Sequence, residues 1–452
     1  MRAHLVYTAL GVCLSAHAAG QTSVTLGSGP HVLHDDVAIL WGGHTFSYVL
    51  QGEDYIFWTA THNRTTEGPQ DEAFAPYIRR QHNTRLIGQY PLPGTDGVPQ
   101  VHELTIEGDG LASGSEPLLF RTPDGYLHVI VGTYHYNPQE PTWYLSGRLR
   151  YYRSARPEDV SEWIDRTELI PTDPFGEFHL RKNVAVTRDG SRAAIAILAI
   201  SEDGSIPFNT PVVFLGERDG LDFRFAPAVK YREPLGFFYP QVAALDDDIV
   251  LLGEVWDVAE RATGRLIHLN WDGQVVREQE LPADEADGTY FSYDMCPRGL
   301  ERWDELLIYH SMSPKDGPWR HQFLSYDVAA RQLSALGETP TEYNLSNAGK
   351  CVQLGPDAWA FVNNPSMGGL HVWDGDLLAG EPLKRAPIDG ANPIGEEYKA
   401  TSYVLTPNAL QGSVITPGVA YIMSDAHHQG KGAADRGPCS LLLWRLEASD
   451  RG

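Results

Sequence analysis

The chain repeats one unit, two apolar strands joined by a tight turn, with polar residues where the first strand begins and where the second ends. The clearest copy lies between Ser113 and Tyr136, where Pro117-Leu118-Leu119-Phe120 and Leu127-His128-Val129-Ile130-Val131 flank a Pro123-Asp124-Gly125 turn. In an antiparallel hairpin the start of one strand and the end of the next share a sheet edge, so Glu116 and His135 are expected to open onto one surface. Comparable pairs return at 44–61, 117–134, 182–199, 240–256, 293–309, 350–363 and 400–423. Their turns include Gln51-Gly52-Glu53-Asp54, Arg188-Asp189-Gly190, Asp246-Asp247-Asp248, Gly355-Pro356-Asp357 and Thr416-Pro417-Gly418. Further strand-like segments follow each pair, among them Leu149-Arg150-Tyr151-Tyr152-Arg153 and Val212-Val213-Phe214-Leu215.

A repeat of roughly 55–65 residues with four strands has the layout of a propeller blade lengthened by loops. The expectation is therefore an all-β chain, a seven-bladed β-propeller of four-stranded antiparallel blades forming a single domain over 22–448. Two packed β-sandwiches are the alternative, but they leave unexplained why polar residues recur at corresponding places in each repeat. A hydrophobic fraction of 42% allows a large core, and 44 glycines with 31 prolines suit many turns. Helical periodicity is missing; one short helical turn is expected at 156–163. The sequence leaves open whether the Thr22–Leu33 strand closes the last blade.

Residues 1–19 carry Arg2, an apolar run from Leu5 to Ala16 and a small-residue cleavage site at Ala16-His17-Ala18, the features of a secretory signal peptide. The protein is expected to be secreted, periplasmic or extracellular, with no membrane attachment after cleavage; a lipid anchor at Cys13 is the weaker reading because bulky Val12 precedes it. The net charge of −24 excludes nucleic-acid binding through a basic surface. Cys296, Cys351 and Cys439 are too widely spaced for a zinc motif and are expected as buried free thiols.

In a propeller one mouth of the central channel gathers the strand starts and exits of every blade. That mouth would collect Glu116, His135, His179, Arg181, Lys182, Tyr239, Gln241, Glu254, Asp257, Tyr293, Asp294, His310, Lys350, Asp425, His427 and His428. Three chemistries fit such a set. Proton abstraction beside a uronate carboxylate needs a base, a cation on the carboxylate and an acid for the leaving oxygen, which His135, His179, Arg181, Tyr239 and Tyr293 could supply. Glycoside hydrolysis needs two carboxylates, and Glu116, Glu254, Asp257, Asp294 and Asp425 are available. Binding without reaction would use aromatic platforms such as Trp41, Trp58, Trp143, Tyr144, Trp256 and Trp319. The sharpest pairing is His135 with His179-Leu180-Arg181-Lys182, a histidine one blade away from a histidine and two cations. Glu116, Lys182, Tyr293, Asp294, His310 and Lys350 are the remaining candidates for holding substrate. No motif assigns a cofactor; a structural divalent metal such as calcium stays open, and His427-His428 near Asp425 is the nearest thing to a metal site. The sequons at Asn63 and Asn344 matter only in a eukaryotic secretory pathway.

The stretch from Ser113 to Tyr136, with Leu149–Ser154 and Glu158–Trp163 after it, resembles the neuraminidase-repeat-like (BNR-type, sialidase superfamily) propellers. Within that group it looks most like the seven-bladed polysaccharide lyases, the ulvan lyases and rhamnose-glucuronate lyases. The resemblance implies β-elimination on a uronate-containing, acidic poly- or oligosaccharide by a monomer, with His135 as the histidine at the hairpin exit and Tyr239-Pro240 as a strand start of the family kind. Gly114-Ser115-Glu116-Pro117 stands where the family carries His-Asn-x-Pro, so its first histidine is missing here, and Phe178-His179 stands where a tyrosine is expected. The sialidase Asp-box is also absent in full form. A glycoside hydrolase and a non-catalytic glycan-binding propeller therefore stay as alternatives.

Overall fold

The structure is a computed structural model and describes residues 22–37, 49–61, 84–105, 117–135, 146–171, 173, 175, 177–200, 210–232, 237–256, 262–281, 291–298, 303–312, 319–341, 351–355, 358–362, 370–374, 384–387, 398–406, 409–428 and 439–450. The signal-like segment 1–19 lies outside them.

Strand β1 (Thr22–Val37) is followed by a meander of β2 (Val49–Gln51), β3 (Tyr55–Thr61), β4 (Thr84–Pro91) and β5 (Gln100–Thr105). Next come β6 (Leu118–Arg121), β7 (Leu127–His135), β8 (Ser146–Ser154) and β9 (Trp163–Asp165), then β10 (Glu177–Val186), β11 (Arg192–Ile200), β12 (Thr210–Asp219), β13 (Asp222–Phe225) and β14 (Val229–Lys230). These nine form one sheet, because Gly147 and Ser146 of β8 pair with Phe178 and His179 of β10. Three four-stranded meanders follow in chain order. They are β15 (Phe237–Ala244), β16 (Asp248–Trp256), β17 (Ala262–Asn270) and β18 (Val275–Glu280); β19 (Phe291–Pro297), β20 (Glu305–Met312), β21 (Trp319–Asp327) and β22 (Gln332–Thr341); and β23 (Cys351–Gly355), β24 (Ala358–Val362), β25 (Leu370–Asp374) and β26 (Lys384–Pro387). The last sheet holds β27 (Tyr398–Thr406), β28 (Val419–His428) and β29 (Cys439–Asp450), and β1 completes it by pairing with β29. The N-terminal strand thus ties the chain's two ends together.

Successive first strands touch in a closed ring, β2 to β6, β10, β15, β19, β23, β27 and back to β2. The physical basis is two-sided burial. In β11, Ala193, Ile195, Ile197 and Ala199 enter a core shared with β2–β9, whereas Ala194 and Ala196 enter a second core shared with β15–β21. A period of two therefore sorts one strand between two interfaces, which is why it reads as an unbroken apolar run rather than an alternating one. Each isoleucine so buried contributes roughly 1.5–3 kcal/mol. A third core joins the first sheet to the last, with Trp58 and Leu86 against Met423 and Leu443.

The hairpin turns form where Asp-Gly chemistry predicts them: Gly125 and Gly190 adopt φ of 86° and 70°, a region that costs glycine nothing. Two local expectations need correction. Residues 156–163 form bends and a turn instead of a helical turn, because Asp159 caps the Ser161 N–H at 2.7 Å and the chain enters β9 at Trp163. The Thr416-Pro417-Gly418 turn forms, with the Val419 N–H on the Thr416 carbonyl at 3.1 Å, but it does not join β27 directly to β28, since β27 stops at Thr406 and β28 starts only at Val419.

Candidate functional site

That long connection shows which mouth of the ring the chain covers. Its buried turn Ala409–Gln411 touches β6, β10, β15 and β19. The Val414 N–H donates to the Gln51 carbonyl at 2.7 Å, and the Gln51 side chain donates to Thr416 Oγ1 at 2.7 Å, which adds β2 to the strands it reaches. Gly412 lies so close to the end of β6 that a Cβ there would sit 1.9 Å from the Arg121 carbonyl oxygen. Gln51, Arg121 and Val186, the last of which lies 3.3 Å from the Cβ position of Gly412, are all at the hairpin-turn ends of their strands, so the chain itself plugs that mouth. The opposite mouth, where first strands begin and second strands end, is the candidate site.

His135 is the last residue of β7 and pairs with Ser146; His179 of β10 pairs with the same Ser146 from the other side. One rung of the ladder thus carries both histidines, two strands apart. Beyond it β10 breaks register with β11. Phe178 pairs with Ala199 and Lys182 with Ile197, so His179-Leu180-Arg181 face a single residue of β11. The next first strand, β15, bulges at the same end, with Tyr239-Pro240 set between the Phe238–Glu254 and Gln241–Leu252 pairs. Pro240 has no N–H to give the ladder, which accounts for the bulge there. Bulges re-aim side chains and are common beside active sites. Both fall on residues singled out from sequence.

The two bulged strands are joined. Asn183 Nδ2 donates to Gln241 Oε1 at 2.8 Å, with Asn183 only 4% exposed. Asn183 went unremarked in sequence, although a polar residue between Lys182 and the apolar run Val184–Val186 was the available signal. Tyr293 and His310 are direct cross-strand partners on β19 and β20, and Asp294 beside them is buried opposite Tyr309. Glu254, on the rung of Phe238, is buried as well, 1% exposed. Glu116, Asp257 and Lys350 lie outside the described residues.

Other candidates resolve differently. Trp58 is no sugar platform; it is 1% exposed and packs so closely on Gly88 that a Cβ there would meet its ring at 2.0 Å. His427, His428 and Asp425 end β28, paired with Lys399, Tyr398 and Ser402. Among the described residues no three His, Cys, Asp or Glu side chains gather as metal ligands. Cys296 is a free thiol and half-buried rather than buried.

The fold has a precedent at full length. An ulvan lyase from a new polysaccharide lyase family superposes with a TM-score of 0.52 at 12% identity, over 91% of this chain and 93% of that one. This chain shares the ulvan lyase fold. Weaker superpositions include the Penicillium chrysogenum alpha-L-arabinanase, TM-score 0.42 at 12% identity over 72% of this chain and 92% of that one. Trypanosoma rangeli sialidase gives 0.41 at 12% identity over 77% and 56%. No family model and no curated protein matches the chain. At such identity the ulvan lyase fold speaks to architecture, and the chemistry must come from the site.

Proposed function

We propose that this protein is a secreted polysaccharide lyase that cleaves a uronate-containing glycan by β-elimination at the unplugged mouth of a seven-bladed propeller. The six sheets are read as seven blades by counting the nine-stranded sheet as two, divided at the short β8–β10 pairing, a reading supported by the closed ring of first strands. The observation that carries the reading is the pair of bulges on β10 and β15, which sets His179-Leu180-Arg181 and Tyr239 on adjacent first strands at one end, with His135 on the rung of His179.

In this reading Arg181 holds the uronate carboxylate through its planar fork, because negative charge builds there as the C5 proton leaves. A neutral His135 takes that proton, the electron pair forms the C4–C5 double bond, and the glycosidic oxygen departs with the proton of the Tyr239 phenol; with the roles exchanged, Tyr239 acts as the phenolate and the protonated imidazole of His135 or His179 is the acid. Lys182, Tyr293, Asp294 and His310 are the groups this reading assigns to holding the glycan, as are Glu116 and Lys350, which lie outside the described residues. The mature protein acts as a monomer.

Glycoside hydrolysis is the second reading, favoured by the two buried carboxylates Glu254 and Asp294 on neighbouring sheets. A variant series separates the two. Arg181→Lys should lower turnover about ten-fold to a thousand-fold, and His135→Ala by more if it is the base. Full activity in both, with none in Glu254→Gln or Asp294→Asn, would replace elimination with hydrolysis.

A further inference from the structure

The only described side-chain hydrogen bond between β10 and β15 is Asn183 to Gln241, and each partner lies within two residues of a bulge: Asn183 two after Arg181, Gln241 two after Tyr239. The face of β10 that carries Asn183 also carries Ala185, which enters the core shared with β15, so the pair is the polar top of an otherwise apolar contact between the two strands. An alanine-like pair at this place would pack, but it would leave the two bulges free to slide along each other. A bulge disrupts the ladder locally, so the register that fixes the strand elsewhere is weakest there.

We propose that Asn183 and Gln241 are positioning residues, a clamp that fixes the spacing between the β10 and β15 bulges and hence between Arg181 and Tyr239 across the mouth. The inference rests on the proposed site. A displacement near 1 Å at a reacting centre is enough to cost about a hundred-fold in rate, so the clamp acts on turnover more than on binding.

The test uses the full-length mature protein with ulvan as the probe polysaccharide. Gln241→Met removes the acceptor at similar volume, Gln241→Glu keeps an oxygen for Asn183 Nδ2, and Asn183→Leu removes the donor. Gln241→Met and Asn183→Leu are expected to lower kcat about ten-fold to a hundred-fold with KM within about three-fold, the double variant being no worse than either. Gln241→Glu should restore most of the rate. Amide hydrogen exchange at 179–182 and 237–239 should quicken about ten-fold in Gln241→Met, with β16–β18 unaffected. Unchanged kcat, or a fall equal in Gln241→Met and Gln241→Glu, overturns the clamp. Should the wild type leave ulvan and other uronate glycans uncut, the proposed function fails separately and the exchange decides the clamp: unaltered protection in Gln241→Met overturns it, quickened protection confined to the two bulges upholds it.

Discussion

Glu158 holds the buried guanidinium of Arg121 at 2.7 Å and, through the same carboxylate, accepts the backbone N–H groups of Glu53 and Asp54 at 2.8 and 3.1 Å. One side chain therefore fastens the β2–β3 turn to the β6–β7 hairpin, and it does so from a left-handed backbone position at φ 49°. The Arg121 and Glu158 side chains are 5% and 13% exposed, so removing the acid leaves the buried guanidinium with only the exposed Glu53 carboxylate, 3.5 Å away. Glu158→Ala should lower stability by about 3–5 kcal/mol, seen as a drop in the urea midpoint. Asp219→Asn removes a partner of Arg224 from a pair 63% exposed on both sides and should shift stability by less than about 1 kcal/mol. Equal small shifts in the two variants would show that the turn is held by other contacts.

The plug gives a second expectation. Gly412 sits at φ 82° with the Arg121 carbonyl in the space a Cβ would fill, whereas Gly94, at φ 87°, has nothing within 4 Å of its own. Gly94→Ala should cost only the left-handed strain, about 1–2 kcal/mol. Gly412→Ala must also move backbone and should cost clearly more, with faster amide exchange in 409–414 and at Gln51. Matching thermal shifts in the two variants would mean that the connection is not seated as described.

His128 predicts a pH dependence. It is fully buried, stacked on Phe120 at 4.9 Å, and its Nδ1 lies 2.8 Å from the Tyr151 hydroxyl, which accepts the Phe223 N–H at 3.0 Å. That hydroxyl has its own proton to donate, and assigning it to Nδ1 makes the ring neutral with its N–H on Nε2. Burial, with the charges of Arg153 and Arg218, brings the imidazole down to about 3 from 6.5. The unfolded chain binds a proton between those two values and the folded chain does not, so stability is full above pH 6.5 and falls as the pH drops toward 3. His128→Gln keeps an acceptor for Tyr151 and removes the titration. Between pH 6.5 and 4.5 the wild type should lose about 2–3 kcal/mol more than this variant, measured by urea unfolding at each pH. Parallel curves would contradict the neutral, buried imidazole.

Strand positions were legible because turn chemistry and apolar runs are local: the pair expected at 182–199 stands at 177–200, and the one expected at 240–256 stands at 237–256. His135, His179, Arg181 and Tyr239 were singled out for the same reason, as polar residues beside the expected strand ends; His135 does end β7, while the other three lie inside β10 and β15. What sequence hid is non-local. The closure of the last sheet by β1 joins Thr22 to Asp450, and the plug brings Ser413 to Gln51, contacts whose ends lie hundreds of residues apart. Trp58 misled because an aromatic on a strand serves a platform and a core equally well until its neighbours are known; Gly88 beneath it settles the matter. Asn183 escaped notice because its meaning depends on Gln241, one meander away.

The central claim is elimination at the mouth opposite the plug, and the products report on it directly. The mature protein incubated with ulvan and a panel of other uronate-containing glycans would be followed by ultraviolet absorbance of an unsaturated uronate and by reducing ends. Elimination creates one double bond for each new reducing end, so the account predicts that both signals rise together on at least one glycan, and that both fall together in Arg181→Lys. Reducing ends that rise with no unsaturated product would contradict it in favour of hydrolysis by Glu254 and Asp294, and the absence of both signals across the panel would leave a glycan-binding propeller in its place.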